Sequence, residues 1–600
     1  MSGEVLCHWH SRLTPQIGSP GFRPCASAYR EYSLGIINSP YSKKGDGFDM
    51  CTICGHFVQE GEIPSTDIYD MLMKMAHRGP DTHGICLDGE ICRGEDIVNF
   101  KNVVSKKSHI ALGHSRLRIV GNQKHTQPYA SCDGKLILIH NGEIYNYRKL
   151  RSLLFRNHNI RTTSDSEVIV HLLEESYHGD LMEAMRKVLG LLDGMYTIAV
   201  TDGTSLVVAR DPIGKKPLYY LQNGNTTYFA SEKKALWNGQ KNPDRLYPGD
   251  LLCVDQSGPK VHEGFHLQFP QIDIVDFRAA VELYKETLIA AVRKRLTGLT
   301  ESNIGMIFSG GIDSVLISKL LQREGKNLIC YCSGTKDSGD IVAARSVAEK
   351  LGLELKTTII DEAMVQQILP EIIQNVEESG LLQVEVAIPM YLAAKLAADD
   401  DIRVMFTGQA ADELFAGYPW YNDVLEEFGY LRLHEKLWED LTYLYTDTLE
   451  REDKLTMAHS IELRAPYLDR DVIQIAMRMS PRLKLEGKGD KLRKRVHRQA
   501  AVELGVPPYL AFRVKDPAQS GSGIHGIIEK IAKTHTGSID QQLVDENKER
   551  DKGSLYRYGE DVYGGDGPRS YLQQIEEDIK NKYIPPFLAA EMRQDTPNEI

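Results

Sequence analysis

Cysteine is scarce and scattered, with ten residues in 600 and no regular spacing. A disulfide framework is therefore not expected, and a reducing compartment, the cytoplasm, is. No apolar run is read as approaching the ~18 residues needed to cross a bilayer, so no membrane partner is expected. Residues 1–49 lack the charged start and apolar stretch of a secretory signal. Basic stripes interleaved with aromatics are missing too. With a formal net charge of −12, nucleic acid is an unexpected partner. Internal repeats are absent. Cys51 and Cys54 form a C-x-x-C, but no second pair stands at metal-ligand spacing, which leaves a zinc reading weak.

What is present is enough chain for two large cores. Hydrophobic residues make up 42% and charged residues 26%, ordinary for a globular protein. Residues 1–50 read as a Pro/Gly/Ser-rich extension that does not belong to the mature protein. Residues 51–255 alternate short apolar segments, such as Leu136–His140 and Tyr196–Thr201, with Gly-rich turns, which fits a layered α+β domain. From about residue 277 the texture changes. Val281, Tyr284, Leu288 and Val292 recur at helical spacing. Ile304–Phe308, Leu328–Cys332 and Val404–Thr407 then read as parallel strands separated by helices, over a domain at 277–525. Beyond Tyr430 the chain reads as mostly helical, and residues 526–600 as a charged tail.

The sharpest local signal is Ser309-Gly310-Gly311-Ile312-Asp313-Ser314, between a strand and a helix. Glycines there let backbone N–H groups and a helix N-terminus converge on an anion. Ser309 and Ser314 can donate to phosphate oxygens. Asp313 is unsuited to a bare phosphate and implies a cation, most naturally Mg²⁺. A second strand ends in Thr407-Gly408-Gln409-Ala410-Ala411-Asp412-Glu413, so Asp412 could share that cation over a triphosphate. Taken separately, each segment also reads as a turn with a helix cap.

SGGIDS resembles the pyrophosphate loop of the N-type ATP pyrophosphatases. TGQAADELFAGY and HSIELRAPYLD (residues 459–469) are similar to further signatures of one branch, the glutamine-hydrolysing asparagine synthetases, and Gln409 with residues 513–523 looks most like the archaeal form. The resemblance runs from Cys51 to about Gly523 with its motifs in order. It implies that Ser309, Gly310, Gly311, Asp313 and Ser314 hold ATP's phosphates and that Asp313 and Asp412 bind Mg²⁺. Ile307, Ser333, Thr407 and Gly408 would meet the nucleotide. Lys494 would stabilise charge on the pentavalent phosphorus, and Arg513 and Lys515 would order a loop over the site. Arg464 is a candidate partner for the acceptor carboxylate, with a structural ion pair as the equal alternative. Gln409 stands where many relatives carry Glu. If that Glu serves as a base, an amide cannot, and Glu413 is a candidate to take the proton instead.

In the amino half, Cys51-Thr-Ile-Cys-Gly-His resembles the opening of class II glutamine amidotransferases, an N-terminal nucleophile fold of αββα layers in which the α-amine acts as base. His77-Arg-Gly-Pro-Asp81, Gly113-His-Ser-Arg-Leu-Arg-Ile-Val120, Asn141-Gly-Glu-Ile-Tyr-Asn146 and Ser164-Asp-Ser-Glu167 look like its remaining motifs. The resemblance implies Cys51 as nucleophile and Asn141 and Gly142 as the oxyanion hole. Arg116 would bind the α-carboxylate of glutamine, and Glu143 and Asp165 its α-ammonium. The substrates implied are glutamine, aspartate and ATP, with ammonia passing between sites. Thr52 replaces a more usual Gly, a minor departure. The residues before Cys51 matter more, because an internal cysteine has no amine. Met50 as the true start, a propeptide cut after Met50, and a silent glutaminase are the three readings. Rival functions are amidation of another carboxylate, a β-lactam-synthetase-like cyclase, and a non-enzymatic sensor. The oligomeric state is open, a homodimer being one option.

Overall fold

The structure, a computed structural model, describes residues 32–33, 48–119, 126–154, 157–237, 241–299, 301–487, 489–514, 522–535 and 566–582. In the first half two largely antiparallel sheets face one another, with Tyr32–Ser33 pairing parallel at the edge of the larger. The larger has eight strands and centres on Phe48–Val58 and Ile110–Ile119; the smaller has six and centres on Ile137–Ile144 and Gly194–Thr201. Ile53, Phe57, Leu112, Ile137 and Ile139 share one core between the sheets. Cys54 instead packs with Ile68 and Met71 of the helix Thr66–Lys74, on the outer side of the larger sheet. Leu138 and Ile144 pack outward on Val168 and Ile169 of the helix Asp165–Ser176. The expected αββα layering is thus present.

The second half carries a five-stranded, all-parallel sheet in the order Glu354–Ile359, Asn327–Gly334, Asn303–Ile307, Val404–Phe406, Glu462–Arg464. The helix Phe277–Leu296 runs before it, and helices dominate after Val404–Phe406. The carboxyl ends of neighbouring central strands therefore lie side by side, where open α/β sheets bind ligands.

Three expectations change. The helix Leu381–Asp399 is long and apolar enough to span a bilayer by composition, contrary to the reading of short apolar runs. Here it packs against the strand Asn327–Gly334 and the helices Glu362–Val376 and Glu450–Met457. The charged tail is not featureless, since Ile528, Ile531, Leu572 and Ile579 are buried in one cluster with Ile368 and Ile372. Finally, Phe48–Met50 extend the strand that carries Cys51, pairing with Leu117–Ile119 rather than ending before it. The rest of the amino-terminal extension, apart from a two-residue strand at Tyr32–Ser33, lies outside the described residues.

Candidate functional site

Strand alternation builds the first site. Cys51 shares the inner face of its strand with Ile53, and Arg116 is its register partner on the adjacent strand. Asn141 follows Ile137 and Ile139 on the inner face of the opposite sheet. Cys51, Arg116 and Asn141 are all buried and on facing surfaces. The same alternation puts Cys54 on the other side of the strand, so the C-x-x-C cannot chelate one ion.

Asn141 carries the strongest chemical signal in this half. Its side-chain nitrogen and oxygen are both buried with no hydrogen-bond partner within the chain. An amide left unsatisfied in a dry interior is costly unless something completes it. Gly142 has φ +146°, and a Cβ there would meet Met195 O at 1.9 Å, so only glycine fits. Asp165 opens its helix, and its Oδ2 accepts from Ile144 N at 2.8 Å. Burial raises its pKa, against the lowering effect of these backbone donors. Glu143 lies 3.7 Å from Arg464 Nη2.

Gln127 was not anticipated. Its Nε2 lies 4.0 Å from Cys51 Sγ and donates to His140 O at 2.9 Å, while its Oε1 accepts from His140 N at 2.6 Å. Its position before Pro128 reads locally as a turn, and nothing within that turn points to the nucleophile.

The second site stands on strand ends. Gly310 has φ +67°, and a Cβ there would come within 2.9 Å of Ala343 O. Arg513 Nη2 donates to Gly310 O at 2.9 Å, tying the Gly-rich turn from outside, while Lys515 lies outside the described residues. A Cβ on Gly408 would stand 2.9 Å from Ser314 N, so the two loops touch. Ser333, at the end of the neighbouring strand, has a buried hydroxyl with no partner. Ile307, Ser309 and Thr407 lie on the same rim, Thr407 buried and the other two half-buried.

Lys494 Nζ lies 2.7 Å from Asp313 Oδ1 and 2.7 Å from Asp412 Oδ1, so one ammonium bridges both carboxylates. Burial alone would lower the pKa of Lys494. The attraction of Asp313 and Asp412 outweighs it and raises the value. His497 Nε2 adds a further contact to Asp313 at 3.1 Å. Ala410, Ala416, Arg493 and Lys494 all have positive φ, half of the eight such non-glycine residues described. Backbone strain of this kind, of order 1–3 kcal/mol each, persists where surrounding structure enforces it. Glu413 is buried, and burial with neighbouring Asp412 pushes its pKa up to about 8. That shift brings its proton affinity toward the working pH, as a general acid or base requires.

Arg464 does not face this site. It pairs with Glu462, donates to Arg295 O and looks toward Glu143, so its ion-pair alternative is the one realised. Motif residues of the first half behave similarly. Arg78 bridges Glu232 at 2.9 Å and Asp453 at 2.7 Å, and Asp81 meets Arg403 at 2.8 Å. Between the halves, a cavity of about 30 Å³ is bordered by Tyr145, Met195 and Lys215 on one side and Arg295, Glu452 and Leu463 on the other. Met195 is the register partner of Glu143, and Leu463 sits in the strand beside Val404–Phe406, whose end leads into Thr407. Burial pushes Glu452 up to about 7 and Lys215 down to about 8.

Comparison with known proteins agrees with this division. Residues 50–248 match the glutamine amidotransferase domain family, and residues 283–431 and 425–558 match the asparagine synthase family. A protein of Methanocaldococcus jannaschii named for glutamine-hydrolysing asparagine synthetase is 34% identical, covering 81% of this chain and 96% of its own. An asparagine synthetase of Arabidopsis thaliana is 28% identical, covering 78% of each chain. Among solved structures, the glutamine phosphoribosylpyrophosphate amidotransferase of B. subtilis is 21% identical with a TM-score of 0.33, over 53% of this chain and 70% of that one.

Proposed function

The chain belongs to the glutamine-hydrolysing asparagine synthetase family, and from that premise we propose that it makes asparagine from aspartate, ATP and the amide nitrogen of glutamine. The observation that carries this reading is that one chain holds two chemically distinct constellations, a buried thiol facing an unsatisfied amide in the first half and two carboxylates gathered beside a Gly-rich strand-end loop in the second.

At the first, the Cys51 thiolate attacks the side-chain amide carbon of glutamine. Negative charge gathers on the carbonyl oxygen, where the unpartnered Asn141 Nδ2 and the Gly142 N–H stabilise it. Arg116 takes the α-carboxylate, and Glu143 and Asp165 the α-ammonium. The tetrahedral adduct collapses and expels ammonia, and water then hydrolyses the thioester to glutamate. The proton moved in both steps needs a base, which is the Cys51 α-amine once the chain begins at that residue. Removal of the residues through Met50 is thus part of this reading, since in the full chain that nitrogen is a strand amide.

At the second site, the β-carboxylate of aspartate attacks the α-phosphorus of ATP. Pyrophosphate leaves into the cradle of Ser309, Gly310, Gly311 and Ser314. Asp313 and Asp412, both of whose carboxylates reach the Lys494 ammonium, are oxygen donors that would hold Mg²⁺ once that ammonium turns to the phosphates. When bound, that ion supplies charge neutralisation for the phosphates. Lys494 sits where charge develops on phosphorus. Ammonia then attacks the β-aspartyl-AMP carbonyl, releasing asparagine and AMP. Free in water it would be protonated and lost as a nucleophile, so the inter-site cavity is the natural passage. Glu452 and Lys215, whose pKa values burial draws toward neutrality, line it without obligatory charge.

The test supplies Mg-ATP and aspartate with either glutamine or ammonium. Asparagine matched by AMP and pyrophosphate from both nitrogen donors is expected. Glutamine hydrolysis with neither AMP nor asparagine would reject aspartate as acceptor. Gln409 and the turned-away Arg464 favour another carboxylate as the second reading in that event.

A further inference from the structure

Outside both reaction centres, four side chains from three separate segments bring their donor atoms together. Cys132 lies in the turn before the strand Ile137–Ile144, His158 follows the helix Tyr147–Leu154, and His171 and Glu174 share one face of the helix Asp165–Ser176. Cys132 Sγ is 3.7 Å from His158 Nδ1 and 3.7 Å from His171 Nδ1. Glu174 Oε2 is 3.1 Å from His158 Nδ1 and 3.0 Å from His171 Nδ1. All four donor atoms lie within 4.8 Å of one another.

These four separations, 3.0–3.7 Å, bracket those of a tetrahedron around one ion. Zinc–sulfur bonds of about 2.3 Å and zinc–nitrogen or –oxygen bonds of about 2.0 Å place ligand atoms roughly 3.3–3.6 Å apart. The outer ring nitrogens are also engaged. His158 Nε2 lies 3.2 Å from Glu175 Oε1, and His171 Nε2 faces Glu167 Oε1 at 4.0 Å. A carboxylate behind an imidazole holds the N–H on the far nitrogen and turns a bare lone pair inward, as around bound metals. Glu174 Oε2 thus stands between the two Nδ1 atoms, an arrangement that a bound cation completes and that inward N–H protons satisfy in its absence.

We propose that Cys132, His158, His171 and Glu174 form a zinc site. A thiolate with two imidazoles excludes the hard cations Mg²⁺ and Ca²⁺, which take oxygen donors. One thiolate and one carboxylate balance a divalent charge. Four protein ligands leave no open position, so the site is structural rather than catalytic. Its mechanical effect is to clamp the 131–134 turn and the residues after Leu154 onto the helix Asp165–Ser176. Glu167 already ties the same stretch, accepting from Arg161 N at 2.8 Å and Thr162 N at 2.6 Å.

The test uses the full chain, stripped with a chelator and titrated with Zn²⁺ against a chromophoric competitor, then with Co²⁺ as a spectroscopic substitute. One Zn²⁺ per chain is expected, with the intense visible bands of tetrahedral Co²⁺ and a thiolate-to-cobalt charge-transfer band. Cys132→Ser, on an exposed turn, should remove the charge-transfer band and the stoichiometric Zn²⁺ while leaving circular dichroism unchanged. Glu175→Gln should weaken Zn²⁺ by about 10–100-fold while keeping the tetrahedral bands. Equal Zn²⁺ affinity in wild type and Cys132→Ser, or octahedral Co²⁺ bands alone, would overturn the proposal.

Discussion

The two reaction centres are built by opposite means. The glutaminase constellation sits on facing sides of two sheets, where strand alternation alone decides which residues meet, and its key amide is simply left without a partner. The ATP constellation sits on loops at strand ends, where left-handed residues and a lysine clamped between two carboxylates hold the geometry. Regular structure preorganises the first, and enforced strain the second. Joining them is the helix Glu450–Met457, every residue of which is buried. Its Glu450 meets Arg210 and Arg245, and its Asp453 meets Arg78 and Lys216, all four from the first half.

This contrast can be broken at several points. Cys51→Ala should abolish glutamine-dependent asparagine while sparing the ammonium-dependent reaction, and loss of both would erase the separation of sites. Lys494→Met should reduce aspartate-dependent pyrophosphate release by about 10²–10³ with glutamine hydrolysis unchanged. Asn141→Ala should do the mirror image, lowering glutaminase kcat by about 10²–10³ with ammonium-dependent synthesis intact. An equal drop in both activities for either variant would mean that one fold-wide change is being read.

Asp453→Ala addresses the joint rather than a site. It takes one of two carboxylates from Arg78 and the Asp453 ion pair from Lys216, both buried, so a loss of about 3–5 kcal/mol is expected in denaturant unfolding. The ratio of asparagine formed to glutamine hydrolysed should fall with it. A smaller effect is expected from Glu452→Gln. The raised pKa of Glu452 means that folding disfavours its ionised form. Below pH 4.5 both states are protonated and nothing is lost. Between pH 4.5 and about 7 the penalty grows, reaching about 3 kcal/mol, and then levels off. Gln cannot ionise, so the stability gap between variant and wild type should open over that window. A pH-independent gap would place the carboxyl in water.

How much of this was legible in the sequence follows the same division. Short apolar segments between Gly-rich turns identified strands of the first half, and short apolar runs ending in Ser/Thr-Gly located the rim that gathers Ser309, Ser333 and Thr407. The meeting of Asp313 and Asp412 was read from two acidic loops at strand ends, whereas Lys494, 181 residues from Asp313, was reached only through family resemblance. Helix Glu450–Met457 was invisible, since E-R-E-D-K-L-T-M has the composition of a solvated surface and its burial depends on partners up to 375 residues away. Arg78 and Asp81 were read with the glutaminase for the same reason, though they reach across to Asp453 and Arg403. The apolar helix Leu381–Asp399 was overlooked because Glu385 and Lys395 interrupt its run, and burial of one side of a helix tolerates such interruptions.

The most direct measurement supplies glutamine labelled with heavy nitrogen in its side-chain amide, together with excess unlabelled ammonium, and reads the label in asparagine. Passage through the inter-site cavity predicts asparagine that retains most of the heavy nitrogen despite the excess. Label diluted to the ratio of the bulk pool would show ammonia crossing through solvent and would contradict the coupling of the two centres.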